Sequence, residues 1–302
     1  MNDHNAESPN TIVLAGATGN LGSQIAQSLL EQGATVRALV RPRSAHKLAA
    51  LQQQGVSVVK AEADDIAALT SACEGASCVV SALSGLRPVI VDAQVALLQA
   101  AVAAGVPRFI PSDFAADFTQ LAYGTNRNFD LRRIFLERLE QTPIAATSVL
   151  NGMFADLLTG DAPLVLFPLR RILYWGDPDQ PLDFTTIADT ARYTAAAALD
   201  DTTPRFLRIA GDVLSPRGLQ AVASEVTGQK FHLFRAGGLE GLNSLISTTR
   251  RMMPKNDEVF PPWQGMQYLH NMLSGHAKLA PLDNDRYPDM PWTPVQEVLA
   301  SR

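Results

Sequence analysis

The stretch TIVLAGATGNLG, residues 11–22, joins a short apolar run to a turn that contains Gly16, Gly19 and Gly22. Apolar residues then recur at helical spacing from residue 23 to residue 32. The order strand, glycine turn, helix is typical of a dinucleotide-binding entry, because glycines let a pyrophosphate reach the backbone amides at the start of a helix. The sequence therefore predicts a nucleotide cofactor before any other function.

A glycine turn can also serve tight packing alone, and the spacing here is GxxGxxG rather than GxGxxG. The surrounding pattern favours the nucleotide interpretation. Gly33 ends the first helix, a second apolar strand follows over residues 34–40, and the unit fits a strand-helix-strand crossover of about 30 residues. We predict cofactor contacts from this turn at Gly16, Thr18, Gly19, Asn20, Leu21 and Gly22.

The end of the second strand indicates which cofactor is preferred. A NAD site places Asp or Glu there to accept hydrogen bonds from the ribose hydroxyls, but this chain has no acidic residue from position 32 to position 61. It carries Arg37, Arg41, Arg43 and Lys47 instead, and a guanidinium is a planar fork of donors suited to phosphate. We predict NADP(H), with Arg41 as the main ligand of the 2′-phosphate and Lys47 as a second one. A solvated basic face is the alternative.

The composition limits the class of function. The 302 residues are 46% hydrophobic and 18% charged, as in ordinary globular proteins. A net charge of −5 argues against direct nucleic-acid binding, which depends on neutralising phosphates. No apolar run approaches the roughly 20 residues that cross a bilayer, and residues 1–10 lack a signal-peptide pattern, so we expect a cytoplasmic protein with a disordered leader at 1–10. The His and Cys residues show no metal-ligand spacing, so no metal is expected.

Apolar runs alternate with helical patterns over the first half of the chain, with further strands predicted at 56–60, 76–83, 107–111, 144–150 and 204–210. Such alternation predicts an α/β fold with a Rossmann doubly wound parallel sheet. We expect residues 11–150 to form the NADP-binding core, joined by the later strand near 204–210. Residues 151–302 are predicted to form mostly a smaller C-terminal substrate lobe.

Strand ends near residues 83 and 111 are expected at the same carboxyl edge as the glycine turn, where such sheets bind ligands. This places Leu83, Ser84 and Ser112 beside the cofactor, with a plain turn role as the alternative for Ser84. The second half of the chain is richer in Pro, Met and aromatic residues. Met and aromatic residues belong more often to a core than to a binding pocket. The candidates here for an apolar substrate pocket are Met153, Phe154, Met252, Met253, Trp263 and Met266.

Several stretches together resemble the NmrA-like and isoflavone-reductase-like atypical short-chain dehydrogenases. They are GATGNLG at 16–22, Arg41, RFIPSDF at 108–114, NGMFAD at 151–156 and the tail DRYPD at 285–289. The resemblance implies NADPH binding by a Rossmann core with a small substrate lobe and, in the enzyme members, reduction of aromatic or phenylpropanoid-like compounds. The residues expected near the substrate are Asp113, Phe114, Asn151, Met153 and Phe154.

The enzyme members carry a lysine in a Phe-x-x-Lys context that orients the nicotinamide and assists proton transfer. The matching stretch here is FDLR at 129–132, so Arg132 replaces that lysine, and no lysine occurs from residue 61 to residue 229. Arginine stays protonated, so it holds anions but is no acid or base near neutral pH. The Tyr-x-x-x-Lys pair of short-chain dehydrogenases is also missing, because the residue four positions after Tyr123 is Arg127. Tyr123 is a candidate proton donor with a pKa lowered by a nearby arginine, or a packed loop residue.

Two functions remain open at this point. The first is an NADPH-dependent reductase of small aromatic, phenylpropanoid-like or quinone-like substrates, with Arg132 as electrostatic orienter and a proton from Tyr123 or water. The second is a non-catalytic NADP(H)-binding redox sensor or transcriptional co-regulator of the NmrA type, which docks onto a regulatory protein partner. The missing lysine favours the sensor, whereas the apolar C-terminal region favours the enzyme.

Overall fold

The computed structural model describes residues 10–42, 48–160, 162–255 and 257–302. Its main sheet has six parallel strands in the order β3-β2-β1-β4-β5-β6. They are β1 (Thr11–Ala15), β2 (Thr35–Val40), β3 (Ser57–Lys60), β4 (Cys78–Ser81), β5 (Arg108–Ile110) and β6 (Ala145–Ala146). This order is that of the doubly wound Rossmann fold, so the predicted fold class is confirmed.

Helices cover both faces of this sheet. They are α1 (Asn20–Glu31), α2 (Leu48–Gln53), α3 (Ile66–Cys73), α4 (Gln94–Ala103), which follows a π-helical turn (Pro88–Ala93), α5 (Arg127–Leu139) and α6 (Ile187–Leu199). Successive side chains of a strand point to opposite faces. Ile12 and Leu14 of β1 accordingly pack with α1 and α6, whereas Val13 and Ala15 pack with α3 and α4.

The strand predicted at 144–150 is divided in two, because the chain changes its pairing partner there. Thr147 N donates to Phe109 O, beside β5, and the next amide, Ser148 N, donates to Arg205 O. The second piece, β7 (Ser148–Leu150), pairs in parallel with the later strand Phe206–Arg208. The boundaries predicted for the core and the lobe stay a prediction.

The remaining elements surround a separate apolar cluster that includes Trp175, Phe184 and Phe231. The strands are β8 (Met153–Phe154), β9 (Val165–Leu166), β10 (Arg171–Trp175), β11 (Leu182–Thr185), β12 (Phe206–Arg208), β13 (Asp212–Leu214) and β14 (His232–Gly237). The helices are α7 (Pro216–Thr227), α8 (Leu239–Met252), α9 (Pro262–Leu273) and α10 (Val295–Ala300), with 3-10 turns at Ala155–Thr159, Phe167–Leu169 and Asn284–Arg286.

Two expectations concern the chain as a whole: that no segment crosses a membrane, and that residues 1–10 form a leader. Among the described residues, no helix has the length and apolar character needed to cross a membrane. Residues 1–9, which make up most of the predicted leader, lie outside the described residues.

Candidate functional site

A groove of about 700 Å³ opens at the carboxyl edge of the main sheet. Its lining includes six of the predicted cofactor residues, namely Gly16, Thr18, Gly19, Arg41, Leu83 and Ser84. The rest of the lining comes from the ends of β1 and β2, the segments after β3 and β4, Leu69 of α3, the π-helical turn and the start of α4. We call this cavity the Arg41 groove.

The three glycines of the turn have different roles. Gly16 has a φ of +87°, and a Cβ there would overlap the carbonyl of Ala82. A Cβ on Gly22 would overlap the backbone of Gly16, so these two glycines are required by close packing. Gly19 lies at the N-cap of α1, and no side chain caps this helix end. The packing and the nucleotide interpretations of the turn are therefore compatible.

Other predicted residues of the turn lie outside the groove lining. The side chain of Leu21 packs against the sheet, and Asn20 Oδ1 accepts a hydrogen bond of 2.8 Å from Gln24 Nε2. Gly22 lies behind the turn, against Gly16. The groove itself does not contain the side chains of these residues, although Asn20 begins the helix that points at it.

Arg41 is exposed at the end of β2 and has no ion-pair partner among the described residues. Arg37, by contrast, donates hydrogen bonds of 2.5 and 2.9 Å to the carbonyls of Ala72 and Glu74, so it fastens β2 to the end of α3. The prediction for Lys47 lies outside the described residues. Of the two arginines of this cluster that the structure describes, Arg37 is therefore structural, and Arg41 has no ion-pair partner in the described ranges.

Glu62 and Asp64, which follow β3, line the Arg41 groove and were not among the predicted site residues. The same rule that placed residues 83 and 111 at the carboxyl edge, applied to the strand at 56–60, would have found them. Their carboxylates make the groove less positive than Arg41 alone would.

Ser112 lies at the carboxyl edge, as predicted, but its polar groups are used inside the protein. Its hydroxyl donates to Leu83 O at 2.5 Å, and its amide donates to Gln94 Oε1 at 3.0 Å. The residue is only 3% exposed and does not line the groove. Its contacts fix the end of β5 to the residues after β4.

Arg132 lies on the second turn of α5, where its guanidinium contacts the end of β5. Its Nε donates to Ser112 O and a terminal nitrogen donates to Asn128 O, both at 3.2 Å. The side chain is half-buried. The fold therefore brings the arginine that replaces the family's lysine to the same sheet edge as the glycine turn.

Asp113 is a buried acidic group close to Arg132. Its Oδ2 accepts a 2.6 Å hydrogen bond from Ser148 Oγ, which in turn accepts one of 2.9 Å from Arg205. Burial raises the pKa of Asp113, and the Ser148 hydrogen bond and the charges of Arg132 and Arg205 oppose this rise. With 1% exposure, Asp113 is packed inside the protein, and its predicted substrate contact stays a prediction.

Tyr123 does not have the lowered pKa that the sequence predicted. Its hydroxyl donates to Glu137 Oε1 at 2.6 Å, and loss of hydration together with this carboxylate raises its pKa to about 12. The guanidinium of Arg133 lies 4.5 Å from the ring centre and acts in the opposite direction, but more weakly. The expected lowering was therefore wrong, because a carboxylate stabilises the neutral phenol. Tyr123 contacts residues of α5 other than Arg132.

The predicted substrate residues fall into three settings. Phe114 is buried in the apolar cluster of the sheet. Asn151 is fully buried, and both polar atoms of its side chain lack a hydrogen-bond partner among the described residues. Met153 and Phe154 are half-buried in β8, which pairs with β11. These side chains thus differ in burial and in the elements that hold them.

The other pocket candidates lie on α8 and α9 and at the end of α8, and they differ in exposure. Met252 and Met253 are 76% and 43% exposed at the end of α8. Trp263 is fully buried, with the guanidiniums of Arg127 and Arg250 4.7 and 4.9 Å from its ring centre. Met266 packs against the apolar cluster that includes Trp175, Phe184 and Phe231. In the described part of the chain, no group of three or more His, Cys, Asp or Glu could hold a metal ion.

Comparison with known proteins adds to this geometry. Residues 8–259 match the NmrA-like family. The chain belongs to this family. Pinoresinol reductase 1 of Arabidopsis thaliana is 28% identical to this NmrA-like protein over 240 residues, 72% of this chain and 75% of the relative.

Solved structures resemble the NmrA-like chain over almost its whole length. The structure of AtPrR2 with NADP+ and (+)pinoresinol has a TM-score of 0.81 at 22% identity and covers 97% of this chain and 99% of that one. An NADPH-dependent quinone oxidoreductase (QOR2) from Escherichia coli has a TM-score of 0.73 at 21% identity, with 96% and 98% covered. At these identities the likeness shows the shared fold.

Proposed function

We propose that the protein is an NADPH-dependent reductase of small aromatic molecules of the phenylpropanoid or quinone type. The observation that carries this proposal is the Arg41 groove of about 700 Å³, which is lined by the start of α1 and by the guanidinium of Arg41, both without a side-chain partner in the described part of the chain. The relative named pinoresinol reductase and the NADP+ complex of AtPrR2 support it. The quinone oxidoreductase supports the quinone class.

The residues of the groove fit NADPH. Gly16 and Gly19 leave the start of α1 without side chains over it, so its amides and dipole are available to a pyrophosphate. Arg41 offers a free guanidinium to a 2′-phosphate. Glu62 and Asp64, in the same groove, are acceptors for hydroxyl or amino groups of a nucleoside.

Bound NADPH would supply a hydride for the reduction. We assign Arg132 an electrostatic role, because a guanidinium that stays protonated stabilises negative charge developing on a substrate oxygen but does not shuttle a proton. The carbonyls of Ser112 and Asn128 hold this guanidinium before the substrate arrives. Such preorganisation removes part of the cost of orienting it during the reaction.

Water is the proposed proton source. Tyr123, the other candidate, donates to Glu137 and has a pKa of about 12, so it is a poor acid near neutral pH. Quinone-like acceptors suit this arrangement, because their reduced anion is already stabilised by delocalisation and needs little acid assistance.

Oxidation of NADPH, followed against a panel of quinones and phenylpropanoid-type ethers and enones, tests the proposal. Turnover well above the enzyme-free rate with at least one acceptor is the expected result. Tight NADPH binding without turnover on any acceptor would contradict the reductase and favour the redox sensor. Heat-treated protein and NADH in place of NADPH are the controls.

A further inference from the structure

Five amide side chains are buried where the start of α5 meets α9. Gln264, Gln267 and Asn271 lie on one face of α9, and Asn126 and Asn128 begin α5. Each of them is at most 5% exposed. Burial of so many polar groups is costly unless they are hydrogen-bonded, and neither the groove nor the proposed reaction accounts for them. We call this group the amide cluster.

The amide cluster satisfies the first backbone amides of α5, which have no partner within the helix. Asn126 Oδ1 accepts from the amides of Asn128 and Phe129 at 3.1 and 3.2 Å. The amide of Arg127 donates to Gln267 Oε1 at 3.2 Å. A residue of α9 therefore completes the cap that Asn126 begins.

Asn126 is itself held by α9. Gln264 Nε2 donates to Asn126 Oδ1 at 2.7 Å, and Asn126 Nδ2 donates to Asn271 Oδ1 at 3.1 Å. The residues before α9 contribute as well, because Asn128 Nδ2 donates to Val259 O at 3.0 Å. Residues of α9 and of the segment before it thus hold the first turn of α5 through hydrogen bonds.

This first turn carries one of the two supports of Arg132. The carbonyl of Asn128 accepts from the guanidinium at 3.2 Å, and the other support is Ser112 O. A shift of the first turn would therefore displace the guanidinium from the sheet edge. We infer that Gln264 and Gln267 are positioning residues for Arg132, which they hold in place through the cap and first turn of α5.

The structural half of this inference is testable without turnover. The Nε–Hε signal of Arg132 in ¹⁵N spectra, identified by its loss in Arg132→Lys, reports the position of the guanidinium. Gln267→Met removes the acceptor of the Arg127 amide and is expected to move or broaden that signal. Gln267→Glu retains an acceptor oxygen at a helix start, where a negative charge is favourable, and is expected to restore it.

The control is Gln220→Met, the same substitution in α7. Gln220 is likewise hydrogen-bonded to the backbone, since its Nε2 donates to Phe231 O at 3.0 Å, and among the described residues no hydrogen bond joins its side chain to α5. An unchanged Arg132 signal in folded Gln267→Met protein, or an equal change in Gln220→Met, would overturn the inference. If Gln267→Met does not fold, Gln267→Asn, which shortens the side chain but keeps it polar, is measured against the same two outcomes.

The catalytic half rests on the proposed reductase. Misplacement of a group that acts on the transition state lowers kcat, so Gln267→Met is expected to reduce kcat roughly ten- to hundredfold. The KM of the acceptor should change less than about threefold, since ground-state contacts are untouched. In an Arg132→Ala background the same substitution should alter kcat less than about twofold, because the two residues act as one unit.

The two proposals fail in distinguishable ways. No turnover in the wild type, combined with a displaced Arg132 signal in Gln267→Met, would refute the reductase and leave the positioning role intact. Turnover in the wild type with equal losses from Gln267→Met in both backgrounds would refute the positioning role and leave the reductase intact.

Discussion

The two arginines that define the proposed site are held in different ways. Arg41 is exposed in its groove and has no ion-pair partner among the described residues, whereas Arg132 is half-buried and already bonded to two carbonyls. A free guanidinium is available to a ligand phosphate, and a held one is preorganised for charge that forms later. The difference fits the proposed roles of Arg41 in binding the cofactor and of Arg132 in the reaction, and substitutions at the two residues should have different effects.

The largest effect is expected at Arg132. Arg132→Ala should lower kcat roughly 100- to 1,000-fold, as the loss of one preorganised donor does in other enzymes. The dissociation constant of NADPH should change little, because Arg132 does not line the Arg41 groove. Steady-state NADPH oxidation and a fluorescence titration measure the two quantities. Arg138→Ala, an exposed arginine of the same helix, is the matched control and should behave as wild type.

Substitution of Arg41 should give a smaller and more selective loss. Arg41→Ala is expected to weaken NADPH binding roughly tenfold or more, since a hydrogen bond to a charged group contributes about 1.5–3 kcal/mol. NADH, which lacks the 2′-phosphate, should lose less than about twofold on the same basis. Calorimetric titration of both cofactors tests this, with the exposed Arg138→Ala of α5 as control. Equal losses for NADPH and NADH would remove the phosphate role from Arg41.

In the glycine turn, an added Cβ should cost more stability at Gly22 than at Gly19. Gly22→Ala places a Cβ into the backbone of Gly16 and should lower the free energy of unfolding by about 1–3 kcal/mol, as overpacking does. At Gly19 the nearest atom to an added Cβ is Gly16 O at 3.4 Å, so Gly19→Ala should cost less stability. Urea unfolding of both variants measures the two losses in the free energy of unfolding. A larger loss for Gly19→Ala would reverse the assignment of the two glycines.

The smallest effect is expected at Tyr123. Tyr123→Phe should leave turnover at neutral pH unchanged, because the phenol proton is retained by Glu137. The folded-state pKa of about 12 lies above the ordinary value of 10.0, so the phenol's contribution to stability is complete below pH 10 and declines as the pH rises toward 12. The difference in urea stability between wild type and Tyr123→Phe should shrink over that interval. A loss of turnover near neutral pH would return Tyr123 to the reaction.

Local signals in the sequence were sufficient for much of the fold. The helical pattern between the strands predicted at 56–60 and 76–83 is observed as α3 (Ile66–Cys73), and Asp65 caps it by accepting from the amide of Ala68 at 3.0 Å. Here the cap, the apolar spacing and the preceding strand all act within a few residues. The π-helical turn Pro88–Ala93 and the change of pairing partner at Thr147 were not predicted, because each depends on neighbours far along the chain.

In the candidate site, too, features set by nearby residues were predicted and features set by distant residues were not. The glycine turn and Arg41 were found because strand ends and residue types alone place them at one edge. The hydroxyl of Ser112 binds the carbonyl of Leu83, 29 residues away, and Gln267 lies 140 residues from the amide it accepts from. Orientation of a polar side chain depends on such partners, which no local pattern reveals.

The stacking of Arg127, Trp263 and Arg250 gives the protein an internal optical reporter. An indole with two guanidiniums 4.7 and 4.9 Å from its ring centre, and with its Nε1 donating to Pro254 O at 3.0 Å, has an emission energy that depends on both charges and on its burial. Because Arg127 begins α5 and Trp263 lies at the start of α9, separation of these helices would change the colour of the light that Trp263 emits. Movement at this junction can therefore be followed by the emission of Trp263, with the other two tryptophans, Trp175 and Trp292, replaced by phenylalanine.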